Sequence, residues 1–293
     1  MEWLEVSVQV GSEAAEAVAE VLTRFAPHGV AVEAGAEGIC AGPVTVCAYL
    51  PANEHLPRTQ RLVEEALWHL GQIIPIPEPA FRPVAETDWA ELWKEHLRVL
   101  HVGRRVVIRP SWLPYAPREH EVVVILDPGM AFGTGLHPTT QMCLMALEEH
   151  VHPGMRVLDL GTGSGILAIA GAKLGAGSVL ALDSDLQAVA VARSNARRNG
   201  VADRVQVREG SLAQADGPFD LVMVNILAKV IVQMTEQGLE KRLAPQGLAV
   251  VAGLVADQEE EVTEALLRAG LAVVGRRQVE EWVALEVRRA GFS

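Results

Sequence analysis

Val157-Leu158-Asp159-Leu160-Gly161-Thr162-Gly163-Ser164-Gly165-Ile166-Leu167-Ala168-Ile169 reads as a buried strand, a tight glycine turn and the start of an apolar helix. Glycines at alternate positions let the main chain take positive φ and approach a bound molecule without a Cβ in the way. Proteins with α/β architecture build nucleotide sites on this unit, where the strand ends and the helix begins. Two nucleotide patterns fail on the residues themselves. A phosphate-binding P-loop needs a lysine that is missing here, and a dinucleotide fingerprint needs a third glycine where Ile166 stands. Strand, G-x-G-x-G and helix remain.

Outward from this turn the pattern alternates strand with helix. Strands are expected at 156–160, 178–183, 204–208, 219–225, 248–254, 271–275 and 282–287, with helices at about 165–175, 185–199, 228–242 and 257–269. Short apolar strands joined by helices specify a parallel sheet covered on both faces. The last two strands have no room for a helix between them and must pair antiparallel. Short strands at 106–109 and 122–126 precede this block.

The second strand ends Val179-Leu180-Ala181-Leu182-Asp183, placing a carboxylate at the carboxyl edge of the sheet, where it can accept both ribose hydroxyls of an adenosine. Asp185 is available to cap the next helix, which leaves Asp183 free. After the third strand, Glu209-Gly210-Ser211 could meet an adenine edge. The fourth strand ends Val224-Asn225-Ile226-Leu227-Ala228, where an amide interrupts an apolar run at the crevice. Asn225 either accepts a hydrogen bond from a reacting amine or caps the helix near Ala228. His137, before Pro138, reads as part of a helix start rather than as a base.

The amino-terminal third is different in kind. Leu4, Val6, Val8 and Val10 alternate as in a half-buried strand, Ser12 opens a helix to about Ala26, strands follow at 29–34 and 43–50, a helix at 57–70 and an extended piece at 80–85. That β-α-β-β-α-β order is ferredoxin-like. Pro83 confines the last strand to an edge. A helix from Asp88 to Leu100, with Trp89, Leu92, Trp93 and Leu97 on one face, joins the parts. The expected division is 1–85, a linker at 86–103, and 104–293.

Composition bounds the partners. The 293-residue chain carries a formal charge of −12, and residues 1–85 hold four arginines, no lysine and eleven glutamates, a net of −7. Direct nucleic-acid binding, which needs a basic face, is not expected of such a chain, whereas a basic protein partner is. No apolar run reaches membrane-spanning length, and Met1-Glu2-Trp3-Leu4-Glu5 lacks a signal-peptide start, so a cytoplasmic location is expected. Cys40, Cys47 and Cys143 show no metal or disulfide spacing and read as small buried residues. No metal is expected, and a monomer is.

A second glycine-rich stretch, Asp127-Pro128-Gly129-Met130-Ala131-Phe132-Gly133-Thr134-Gly135, runs on to His137-Pro138-Thr139-Thr140. Together with 158–168 and Asn225-Ile226-Leu227-Ala228, it resembles the PrmA-type methyltransferases over the chain from about Asp88 onward. Thr162 stands where that family often has cysteine, and Val224 where alanine is common; neither change removes a polar contact. The resemblance implies a seven-stranded, doubly wound class I methyltransferase sheet behind a substrate-recognition domain. It implies S-adenosylmethionine as cofactor and methylation of lysine side chains, with the amino-terminal amine a further candidate, on large-subunit ribosomal protein eleven. It also implies cofactor contacts at Thr140, Gly161, Asp183 and Asn225, with Gly163 in the turn and Phe132, Gly133 and Thr134 lining a cover loop. Without a carboxylate or histidine in 225–229, catalysis is expected to rest on the Asn225 side chain and the Ile226 carbonyl orienting the amine. Methylation of a small amine or RNA by the same core, and a non-catalytic assembly factor, are the alternatives.

Overall fold

In the computed structural model, residues 2–11, 14, 18–19, 21–22, 25–26, 30–34, 44–72, 75–85, 98–126, 135 and 137–291 are described. The chain forms two compact units, Met1–Leu97 and Arg98–Ser293. The helix expected from Asp88 lies outside the described residues, save its last three positions. There Leu100 opens a strand instead.

The smaller unit is one antiparallel sheet of β1 (Glu2–Val10), β2 (Val30–Ala34), β3 (Val44–Pro51) and β4 (Ala80–Ala85), in the order β2-β3-β1-β4. That order and the helix α1 (Leu56–Gly71) between β3 and β4 are the ferredoxin-like arrangement. Helical residues Ala14, Val18, Val21 and Leu22 lie between β1 and β2, all buried at one-face spacing. They pack with Val6, Val8 and Val10 of β1 and with Val63 and Leu67 of α1. β4 is an edge strand, as Pro83 requires.

The larger unit opens with a three-stranded sheet of β5 (Leu100–Val102), β6 (Val106–Arg109) and β7 (Val122–Ile125). Helix α2 (Pro138–His150) follows, then β8 (Arg156–Leu160), α3 (Ile166–Leu174), β9 (Ser178–Asp183), α4 (Leu186–Arg198) and β10 (Val205–Glu209). The chain then crosses to β11 (Phe219–Asn225), α5 (Ala228–Glu236), β12 (Leu243–Val255), α6 (Glu259–Arg268), β13 (Leu271–Val279) and β14 (Trp282–Arg289). The seven strands β8 to β14 lie in the order β10-β9-β8-β11-β12-β14-β13, with β14 antiparallel to both neighbours. Strand order reverses between β8 and β11, and ligands of open α/β sheets bind in the crevice at that point.

One face of this sheet packs on α2, α3 and α4 through Met142, Leu144, Ile169 and Val189; the other packs on α5 and α6 through Ile231, Val262 and Leu266. Helix α3 is buried at every residue but Lys173, which explains its unbroken apolar sequence. The helix expected over 228–242 stops at Glu236. Gly238, at φ +91°, turns the chain before a short 3₁₀ segment at Leu239–Arg242. No helix among the described residues is long and apolar enough to cross a membrane.

Candidate functional site

The glycine turn closes at the carboxyl end of β8. Gly161, Gly163 and Gly165 have φ of +71°, +53° and +83°, a left-handed run that β-carbon-bearing residues resist. The Gly161 and Thr162 amides donate to Leu182 O at 2.9 and 3.0 Å, fastening the turn to the end of β9. Gly161 also permits a contact between two strand ends: a Cβ there would lie 2.4 Å from Ile226 Cγ2. The turn after β8 is thereby packed directly on the segment after β11.

Asp183 ends β9 half-buried. Its Oδ2 accepts from the Gly163 amide at 2.8 Å and its Oδ1 from the Asp185 amide at 3.0 Å. Asp185 is the α4 cap, accepting from Gln187 N at 2.8 Å, so Asp183 is not used as one. Each carboxylate oxygen of Asp183 keeps a lone pair for a hydroxyl. The neighbouring 209–211 segment offers less than its sequence suggests. The Gly210 amide is spent on Asp183 O at 2.8 Å and the Ser211 amide on Gln214 Oε1 at 2.8 Å.

Asn225 ends β11, also half-buried, and its Nδ2 donates to Thr140 Oγ1 at 3.4 Å. The cap of α5 is Leu227, without a side-chain hydrogen bond, so Asn225 is no helix cap. Thr140 is buried in the first turn of α2, whose start is fixed by His137. His137 Nδ1 accepts from the Thr139 amide at 3.3 Å, which puts the neutral ring's proton on Nε2. Burial lowers its pKa, against a smaller opposing effect of Glu281, and its ring packs edge-on to Trp282 at 4.5 Å. Its role is structural. Phe132, Gly133 and Thr134 lie outside the described residues.

Two features of the site escape a sequence reading. Asp159, two residues before Gly161, is buried, and Oδ2 accepts from Thr162 Oγ1 at 2.6 Å and from the Ala168 amide at 3.2 Å. Its Oδ1 is buried with no hydrogen-bond partner. Burial pushes its pKa up to about 6, the Thr162 and Ala168 hydrogen bonds opposing. The second is Gly253, at φ +92° in a bulge of β12, where a Cβ would lie 2.2 Å from Ile226 O. With the Ile226 amide donating to Ala252 O at 3.1 Å, this bulge fixes the peptide that follows Asn225. A lone glycine inside a strand run is the available signal for it.

Glu149, His150 and Glu286 gather closely enough to hold a cation, but Arg277 already donates to Glu149 at 2.5 Å and Glu286 at 2.7 Å. Cys47 and Cys143 are buried and form no disulfide, and Cys40 lies outside the described residues.

An adenosine-bearing sulfonium cofactor fits these residues: a turn with glycine at three of its five positions, and a carboxylate with spare lone pairs at Asp183. The profile of a family described as ribosomal protein L11 methyltransferase (PrmA) matches residues 2–290. A ribosomal protein L11 methyltransferase of Chloroflexus aurantiacus is 47% identical, over 98% of each chain. One of Herpetosiphon aurantiacus is 42% identical, over 99% of each. The crystal structure of a ribosomal protein L11 methylase from Lactobacillus delbrueckii subsp. bulgaricus superposes with a TM-score of 0.62 at 35% identity, covering 66% of this chain and all of that one.

Proposed function

The chain belongs to the ribosomal protein L11 methyltransferase (PrmA) family, and from that premise we propose that it methylates amines of L11 in the crevice between β8 and β11. The observation that carries this placement is the convergence of the Gly161 turn, Asp183 and Asn225 at one edge of the sheet. S-adenosylmethionine supplies an activated methyl group when bound. Gly161 and Gly163 would receive it where the main chain lacks β-carbons, Asp183 would accept its ribose hydroxyls, and Thr140 and Asn225 would complete the contacts. Phe132, Gly133 and Thr134 form the cover in this reading.

The acceptors are lysine ε-amines, with the amino-terminal amine a second class. A lysine must lose its proton before it attacks, which at pH 7 costs about 4.6 kcal/mol from a pKa near 10.4. Asn225 to Lys229 contain no carboxylate or histidine, and His137 is committed to the Thr139 amide. The chain therefore works by positioning. The Asn225 side-chain oxygen and the Ile226 carbonyl accept the amine's hydrogen bonds and hold its lone pair in line, while closure against water lowers the cost of the neutral form. Leu227, 74% exposed beside them, meets the protein substrate.

Residues 1–85 form the substrate-recognition domain in this account, 86–103 the linker and 104–293 the methyltransferase domain. The smaller unit carries a cleft of about 490 Å³ lined by Leu67, Trp68, Ile76 and Phe81 and flanked by Glu64 and Glu78. Trp68 is 61% exposed there, an apolar anchor point beside acidic groups that suits a basic protein. A cytoplasmic location follows from a ribosomal substrate. Incubation with methyl-labelled S-adenosylmethionine and total ribosomal proteins tests the reading: label in L11 alone is expected, and label in RNA or in nothing contradicts it.

A further inference from the structure

The amino-terminal ends of β8, β9 and β11 border a second cleft, of about 690 Å³, in which five arginines face two aspartates. One-fifth of the chain's 25 lysines and arginines thus line one depression of a protein whose net charge is −12. Most of these guanidiniums are held in place without being neutralised. Arg156 Nη1 donates to Pro218 O at 3.1 Å and its guanidinium lies 5.1 Å from the Phe219 ring centre. Arg193 donates twice to Val207 O, at 3.1 and 3.0 Å, and Arg204 Nη1 to Ala172 O at 2.6 Å. Main-chain carbonyls fix the forks but leave the positive charge uncompensated. Arg208 Nη2 donates to Gln206 Oε1 at 2.6 Å, its Nε has no hydrogen-bond partner, and its closest carboxylate, Asp216, is 89% exposed and 3.9 Å away. The Arg197 side chain is exposed and makes no hydrogen bond or ion pair among the described residues.

We propose that this cleft binds the phosphate backbone of RNA. Guanidinium forks match phosphate oxygens in bidentate geometry. A single carboxylate would satisfy one fork, whereas successive phosphates along a strand satisfy several at once. Outside these five arginines and two aspartates the chain carries a net charge of −12 − (5 − 2) = −15, which favours contact with a polyanion at this cleft. Its position sets it apart from methyl transfer: Ser178 at the cleft and Asp183 at the glycine turn are the two ends of β9, five strand steps or about 16 Å apart. The inference goes beyond the methyl-transfer reading and does not depend on it.

The test is fluorescence anisotropy of a labelled oligouridylate with the full-length protein over a salt series. Wild type should bind at low salt. Arg197→Glu alone, a surface change that breaks no described bond, should weaken binding several-fold. Arg197→Glu with Arg208→Glu should weaken it about tenfold or more and reduce the salt slope by about 1.4, the value for two single-strand phosphate contacts. Arg58→Glu with Arg61→Glu, on the exposed side of α1, should leave binding unchanged. No binding by wild type, equal loss in both double variants, or competition by inorganic phosphate as effective as by unlabelled RNA overturns the proposal. Methylation of free L11 is measured alongside for the wild type and the Arg197 and Arg208 variants and should be the same in these proteins, so failure of RNA binding and failure of the methyl-transfer reading are told apart.

Discussion

The two ends of the seven-stranded sheet differ in chemistry and in how tightly their polar groups are tied. At the carboxyl ends, backbone amides and carboxylates are locked together: Leu182 O holds the Gly161 turn, Asp183 holds Gly163, and Gly253 holds the Ile226 peptide. At the amino ends the cations are anchored by main-chain carbonyls and otherwise left uncompensated. On the proposed reading the first end holds one small molecule and a reacting atom, where a displacement of an ångström is costly. On the same terms the second serves charge, where spacing is forgiving. Sensitivity to substitution should follow that difference.

The largest effect is expected from Gly253→Ala. The new Cβ meets the Ile226 backbone carbonyl rather than a flexible side chain, and the left-handed φ adds strain. Steady-state assays should show turnover down by about a hundredfold or more with the fold retained; an unchanged rate would detach Ile226 from the chemistry. Asp183→Asn replaces an acceptor with a donor and leaves the Gly163 or Asp185 amide unpaired. Calorimetry should find cofactor affinity down roughly ten- to hundredfold. Unaltered affinity would remove Asp183 from the cofactor site.

A smaller effect concerns Asp159 and stability. Its carboxyl is raised by burial from an ordinary 3.8 to about 6. A carboxyl raised on folding stabilises the fold fully below the unfolded value, and that contribution is lost as pH rises through about 6. Two units correspond to about 3 kcal/mol. Urea titrations at a series of pH values should therefore show the wild type losing ground against Asp159→Asn between about pH 4 and 6. Parallel curves would show that the carboxyl is not the source.

Much of the carboxyl end is legible in the sequence because its signals are local. The strand, the alternating glycines and Ile166 sit within thirteen residues, and Asp185 so near Asp183 indicates which carboxylate caps the helix. The parallel sheet follows from the alternation with helices, and the antiparallel finish from the short turn before Trp282. Helix α2 is not read in full because Thr139, Thr140, Met142, Cys143, Leu144, Ala146 and Leu147 are buried on several sides, which erases the amphipathic period. The Gly253–Ile226 contact, signalled in the sequence only by a glycine inside a strand run, and the Asp159 oxygen without a partner depend on tertiary packing. The arginine cleft is hidden for another reason. Arg156, Arg193, Arg197, Arg204 and Arg208 are scattered along the chain, and a net charge of −12 averages them away.

The central claim is that amine positioning by Asn225, without a dedicated base, drives transfer. Its most direct test is labelled methyl transfer from S-adenosylmethionine to purified L11 by the wild type, Asn225→Ala and Asn225→Asp at saturating cofactor. Aspartate keeps an oxygen acceptor and alanine does not, so the alanine variant should fall about a hundredfold and the aspartate variant far less. Equal rates in all three proteins would contradict the account.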